Sequence, residues 1–221
     1  LRSPRRCGQD ESVAERKSIH ELLGAPPPAK TGRERLLWVA VELFYARGFQ
    51  AVGLDAVIAE AGVTKTTFYK HFASKDALML DAVKLRDAWE TEAWGRAVRE
   101  VGGDDPAAQL LALFDVMDRW FTGPSFRGCM FLNTAAEFPN RNDPIHQAAA
   151  DHKRASRDGW RDLARAAGAA DSESFADQYT ALVEGTLVLR QVHDRDDAAT
   201  VIRPAVEALM ASHGIAVVRR G

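Results

Sequence analysis

Thr66, Thr67, Tyr69, Lys70 and His71 bring two hydroxyls, a phenol, an ammonium and an imidazole together within six residues, with no carboxylate among them. Such groups suit phosphate oxygens and the edges of bases, above all at a helix N-terminus, where the dipole adds to the attraction. A second pair, Asn133 and Glu137, sets an amide and a carboxylate four residues apart, hence on one face of a helix. In an apolar cavity such a pair orients a small organic ligand; between packed helices it makes an internal cap or hydrogen bond, and both readings stand. No catalytic spacing is found: the chain has no Gly-rich phosphate loop, no HExxH, no CxxC and no GxSxG. Glu137, His146 and His152 can be drawn as a metal set, but the histidines are six apart and do not share a helix turn. No metal or other cofactor is expected.

The first group needs a scaffold, and the stretch LDAVIAEAGVTKTTFYKHF (54–72) supplies it. Leu54, Val57, Ile58 and Ala61 follow the period of a short buried helix, and Gly62 supplies a left-handed turn residue without a Cβ penalty. Thr64 caps a second helix from Lys65 to about His71, with Phe68 and Phe72 facing inward. Two short helices joined by a tight glycine turn make a helix-turn-helix, whose second helix enters the major groove. An ordinary surface turn in an all-α protein has the same spacing.

From Arg35 to Leu80 the chain resembles the N-terminal domain of the TetR family of transcriptional regulators. The resemblance is carried by Ala40, Leu43-Phe44, Gly48-Phe49, Ile58-Ala59, Ala61 to Lys65, Phe68 to Phe72 and Ser74 to Leu78, about a fifth of the chain. It implies DNA contacts from Thr64, Lys65, Thr66, Thr67, Tyr69, Lys70, His71 and Lys75. One departure is visible. The family usually opens the first of these two helices with Thr or Ser, whereas this chain has Val52-Gly53, so the cap falls to Gly53 or Asp55 and one phosphate-binding hydroxyl is missing.

Composition fits a folded regulator of this type. The 221 residues are 46% hydrophobic and 27% charged, ordinary for a soluble globular protein. No apolar run approaches the ~20 residues that span a bilayer, and no signal-type apolar stretch opens the chain, so a cytoplasmic protein is expected. Cys7 and Cys129 lie too far apart for a disulfide framework or zinc spacing. The net charge of −2 is uneven: residues 1–72 hold 11 Lys/Arg against 8 Asp/Glu, and the remainder 18 against 23. A basic end on an acidic body suits a DNA-reading head on a domain that does not touch DNA.

The chain is expected to be all-α throughout. Residues 1–30, with Arg2, Arg5, Arg6 and Pro26 to Pro28, read as a disordered arm, with a short frayed helix over Val13 to Leu23. That arm either reaches a minor groove or contributes nothing specific. Thr31 and Glu34 form a capping box for a helix closed by Gly48, which completes a three-helix head over residues 31–74. Ser74 caps a helix from Lys75 to about Val101, the first of a helical body over 75–215, followed by a tail, 216–221. Further helices are expected from Asp105-Pro106, over Gly128 to Phe138, from Asp143-Pro144, from Asp171 or Ser172, and from Asp196 or Asp197. Pro204 either kinks the last helix or starts it.

In that body Trp89, Phe114, Met117, Trp120, Phe131, Asn133, Glu137, His152 and Trp160 are the candidates for an effector site, although aromatic walls and a core use the same residues. Cys129 reads best as a buried structural thiol. The resemblance implies a homodimer through the last two helices, with Phe175, Tyr179, Leu182, Val183, Leu187, Val206 and Leu209 at the seam; burial within one subunit is the other reading. The function expected is a DNA-binding regulator, a repressor released from its operator by a small organic effector. The rival is an enzyme or carrier on the same scaffold that has lost DNA binding.

Overall fold

The structure, a computed structural model, describes residues 17–216, and among them forms ten α-helices and no strand. The arginines of the N-terminal arm, Cys7, Val13 at the start of the frayed helix and most of the C-terminal tail lie outside the described residues.

The order is α1 (Ile19–Leu23), α2 (Gly32–Arg47), α3 (Leu54–Glu60), α4 (Lys65–His71), α5 (Lys75–Gly102), α6 (Pro106–Phe121), α7 (Met130–Glu137), α8 (Pro144–Ala166), α9 (Ser172–Gln191) and α10 (Ala198–Ser212). Sequence caps set most of these starts. Thr31, Thr64, Ser74, Asp105, Asp143 and Asp171 each accept a backbone N–H from the first turn that follows. At α3 the cap is Gly53, which has no side chain to offer.

The 28 residues of α5 make a rod about 40 Å long that serves both halves of the molecule. Its first turns pack on α2 through Leu78, Met79, Ala82 and Val83, while its far half meets α6 and α8. Around that half α6, α8, α9 and α10 close a helical layer whose centre holds Phe114, Phe121, Phe175 and Tyr179, all fully buried. The Tyr179 hydroxyl donates to the Leu110 carbonyl at 2.6 Å, so the buried phenol has its partner.

One expectation changes and one alternative closes. The short helix expected up to Leu23 is present, but it is docked and not frayed. Ser18 and Glu21 form a capping box, Ile19, Leu22 and Leu23 are buried, and Arg96 of α5 donates to the Leu23 carbonyl at 2.6 Å. Lys17 pairs with Glu100, and Arg119 of α6 donates to the Lys17 carbonyl at 3.2 Å, so α1 is strapped across α5 and α6. Pro204 lies inside one continuous α10, on its exposed side, where the lost hydrogen bond costs least.

A strap of five helical residues has little stability of its own and depends on docking. Leu22→Ala, deleting a side chain that is 2% exposed, should undock it locally. Amide exchange over residues 19–23 should then rise at least about tenfold with the body's protection unchanged, since a terminal segment opens without unfolding the rest. Equal loss of protection across α5 to α10 would show instead that α1 is part of the cooperative core.

Candidate DNA-reading face and ligand cavity

The head is built around Phe68 and Phe72, buried and stacked at 5.6 Å between centroids, which fixes the roll of α4 against α2 and α3. Gly62 takes φ 62°, and the Val63 amide donates to the Ile58 carbonyl at 3.3 Å, so the corner is tight. Thr64 accepts the Thr67 N–H at 3.1 Å, and their hydroxyls lie 2.9 Å apart. With the two phenylalanines inward, Lys65, Thr66, Tyr69, Lys70 and His71 are left on the outer face, and Tyr69 is 54% exposed. Lys65 makes only a loose ion pair with Asp55 at 3.6 Å between two well-exposed side chains. The N-terminus of α2 lies alongside: a Cβ on Gly32 would stand 3.7 Å from the Thr67 methyl, and Arg35 beside it is exposed. Arg35 escaped the sequence reading because nothing in the chain says which flank of α2 faces α4.

Lys75 is placed differently from the expectation. Its ammonium donates to the Phe49 carbonyl at 2.8 Å, tying the start of α5 to the turn between α2 and α3. The same point of that turn is held by Glu137, whose carboxylate accepts the Phe49 amide at 3.0 Å and the Gln50 amide at 2.9 Å. Glu137 is therefore a clamp on the head and not a cavity residue. Gly48 takes φ 85°, which favours glycine, and a Cβ there would also press on that carboxylate at 3.1 Å.

The cavity lies between α5, α6, α8 and α9 and measures about 330 Å³, within the range of organic-ligand sites. Trp94, Trp120 and Trp160 stand in its walls, with Met117, Tyr179 and Val183 between them. Of the nine expected effector residues, Met117, Trp120, His152 and Trp160 line it. The other five are occupied elsewhere. Trp89 meets Trp38 edge-on at the α2–α5 joint, and Phe114 packs behind the wall on Tyr179. Phe131 lies under His152 at 3.5 Å, and Asn133 accepts from Gln191 at 2.8 Å and donates to the Arg127 carbonyl at 3.2 Å. Glu137 faces the head.

Three ion or hydrogen-bonded pairs sit at the head-proximal end: Arg86–Glu90 at 2.7 Å, His152–Asp87 at 2.7 Å and Lys153–Glu184 at 2.8 Å. Burial pushes the His152 pKa down against the opposing pull of Asp87, so the neutral imidazole donates through Nδ1. Burial opposes the Lys153 charge as well, but Cys129 and Glu184 beside it prevail and hold its pKa above the usual lysine value. Cys129 lines the same end, and burial raises its thiol pKa, which fits the structural reading. His146 is spent on the Phe138 carbonyl at 2.7 Å, and among the described residues no His, Cys, Asp or Glu cluster has the form of a metal site.

The expected dimer seam also changes. Phe175, Tyr179, Val183, Leu187, Val206 and Leu209 are buried within the chain, Tyr179, Val183 and Leu187 in the cavity wall, and Leu182 is half-buried. The outward stripe is Ala181, Gly185 and Val188 on α9 with Val192 at its C-cap, beside Val201, Ala205 and Ala208 on α10. Among the described residues no helix is long and apolar enough to cross a membrane.

Comparison with known proteins agrees with this architecture. The profile "Bacterial regulatory proteins, tetR family" matches residues 36–82, and "Tetracyclin repressor-like, C-terminal domain" matches 106–206. The crystal structure of a TetR-family transcriptional regulator from Streptomyces coelicolor is 30% identical and superposes with a TM-score of 0.75, covering 82% of this chain and 95% of that one. A TetR-family regulator from Cytophaga hutchinsonii shares the fold at TM-score 0.72 and 19% identity, over 87% of this chain and all of that one. The HTH-type transcriptional regulator YjdC of Escherichia coli is 23% identical over 155 residues, 70% of this chain and 81% of the relative. A helix-turn-helix head on a helical body with an aromatic cavity, matched at both ends and along most of its length, makes this chain a member of the TetR family of DNA-binding transcriptional regulators.

Proposed function

We propose that the protein is a homodimeric repressor whose head, residues 31–74, reads an operator and whose body, residues 75–215, binds a small organic effector that releases the DNA. The observation that carries this reading is that one rod, α5, follows α4 after three linking residues and reaches the wall of the aromatic cavity. Tyr69, Lys70, Thr66, Lys65 and His71 are the DNA contacts, with Thr64 and Thr67 setting the helix start and Arg35 adding a phosphate contact from α2. Lys75 acts on DNA only through the turn that it holds. The effector occupies the cavity among Trp94, Trp120 and Trp160. Incubation with DNA from upstream of its own gene should give a retarded band that weakens steeply with salt, because phosphate neutralisation releases counterions. A chain that retards none of its genomic flanking DNA would favour the carrier reading instead.

In this reading the dimer forms through the outward stripe of α9 and α10, with Ala181 and Gly185 permitting close helix approach. A Cβ at Gly185 meets nothing within 4 Å, so Gly185→Arg is accommodated by a single chain and obstructs only a second copy. Light scattering at micromolar concentration should give a dimer for the parent and a monomer for the variant. Operator affinity should fall on the order of 10²–10⁴-fold, as two linked half-site contacts become independent. A monomeric parent, or a variant that remains dimeric, removes this seam. Leu187→Glu tests it poorly, because Leu187 lies in the cavity wall.

A further inference from the structure

The cavity has two ends of different charge. At the head-proximal end Asp87, Glu90 and Glu184 face Arg86 and Lys153, with His152 neutral between them, so carboxylates outnumber cations there. The Glu184 Oε2 atom is buried and receives no donor, so that end already has more acceptor than it can satisfy. An anionic group placed there would meet like charge in a poorly solvated site.

The opposite end is the reverse. Arg99 lines the cavity from α5, is exposed, and among the described residues pairs with no carboxylate. The positions three and four residues away are Gly95, Arg96 and Gly102 on α5 and Gly103 at its C-cap, so no acidic side chain reaches it along α5. Beside it the wall thins to small residues: Gly95 on α5 faces Ala155, Ser156 and Gly159 on α8. A Cβ on Gly159 would meet nothing within 4 Å. Gly159 leaves the α8 side of this end open as a mouth, and on α5 the unmatched Arg99 guanidinium lies over Gly95, where a Cβ would stand 3.4 Å from its Nη1.

Resting on the reading of this cavity as the effector site, we infer that the effector is an amphipathic organic acid, its aromatic body between Trp94, Trp120 and Trp160 and its carboxylate at Arg99. A guanidinium takes a carboxylate through paired N–H donors, and the indole walls take an aromatic body by edge and face contact. The acid enters ring-first between α5 and α8, which leaves its charge at the mouth and away from the acidic end.

Three probes of one shape test this: 2-naphthoate, its neutral counterpart 2-naphthamide, and the cationic 2-naphthylmethylammonium, titrated against tryptophan fluorescence and by calorimetry. Naphthoate should bind at least about tenfold tighter than either of the others, the worth of one charge-assisted contact. Arg99→Gln should bring naphthoate to the affinity of naphthamide and leave naphthamide unchanged. Naphthamide or the ammonium binding as tightly as naphthoate, or no response of naphthoate to Arg99→Gln, overturns the organic-acid assignment while the cavity stands. Gly159→Trp, which fills the mouth from an open position, should abolish binding of all three. Binding that survives Gly159→Trp, or no binding by any probe to the parent, overturns the cavity itself as the effector site.

Discussion

With Tyr69 and Lys70 both replaced by alanine, the protein should fold and dimerise as the parent does and no longer retard operator DNA. Neither side chain belongs to the core that holds α4. Phe68 and Phe72 do that, while Tyr69 is 54% exposed and Lys70 stands fully on the outer face. The structural cost is the edge contact of the Tyr69 ring on Phe68, 5.1 Å between centroids. The binding cost is larger. Each base or phosphate contact is worth about 1–3 kcal/mol, so losing both from each of two heads, four contacts in all, should weaken binding by at least about 10³-fold. The two losses should also differ in kind. Lys70→Ala alone removes one phosphate neutralisation per head and so lowers the salt slope by about one for each head. Tyr69→Ala alone should weaken binding with the slope intact. Circular dichroism and light scattering establish that the double variant remains a folded dimer, and parent-like operator affinity in it would show that the docking face lies elsewhere.

The head was legible because every device in it is local. A cap, a glycine turn and an i, i+4 pair of phenylalanines each act within five residues, and together they decide which side of α4 faces out. The body was legible as helices but not as a site. Trp89 and Trp94 are five apart, which on an α-helix turns them to different sides: one packs on Trp38 of the head and the other faces the cavity. Phe175 and Tyr179 follow the period of a buried stripe, but a stripe does not say whether its cover is the same chain or a second copy. Here the cover is α8 and α10, with α6 over Tyr179, and the real outward stripe is made of small residues that read as weakly apolar. A short helix up to Leu23 was legible, but its docking on α5 and α6 was not, because five residues say nothing of what covers them, although Ser18 and Glu21 already carried a capping box. Gly95 and Gly159 were a usable sign of the cavity mouth, since glycine within a long helix costs stability and calls for a reason of space.

Glu137→Ala should leave effector affinity intact in the free protein and remove most of the effector's power to release DNA. The sequence left Glu137 and Asn133 open between a ligand and an internal cap or hydrogen bond; the geometry places both outside the cavity and gives Glu137 the second task. Its two carboxylate oxygens accept the amides of Phe49 and Gln50, and Lys75 donates to the carbonyl of the same Phe49. That turn leads directly into α3 and fixes where α4 stands. Both clamps run back to the cavity. α5 carries Lys75 at its first residue and Glu90 to Arg99 in the wall, while α7 has Cys129 in the wall at its N-cap and Glu137 at its last residue. The eight residues of α7 span about 12 Å, so displacing its first turn must move or break the clamp at its last. An effector can shift the head only through contacts that differ between its two positions, and typical allosteric couplings of about 1–3 kcal/mol fit the loss of one or two charge-assisted bonds. Because coupling is reciprocal, Glu137→Ala should bring effector affinities for free and DNA-bound protein together by the same factor by which release weakens. Asn133→Ala, removing bonds only to Gln191 and the Arg127 carbonyl, should leave release near the parent value. A Glu137→Ala protein whose free form binds the releasing ligand about tenfold more weakly would return Glu137 to the cavity, and one that releases DNA like the parent would place the coupling in α5 alone.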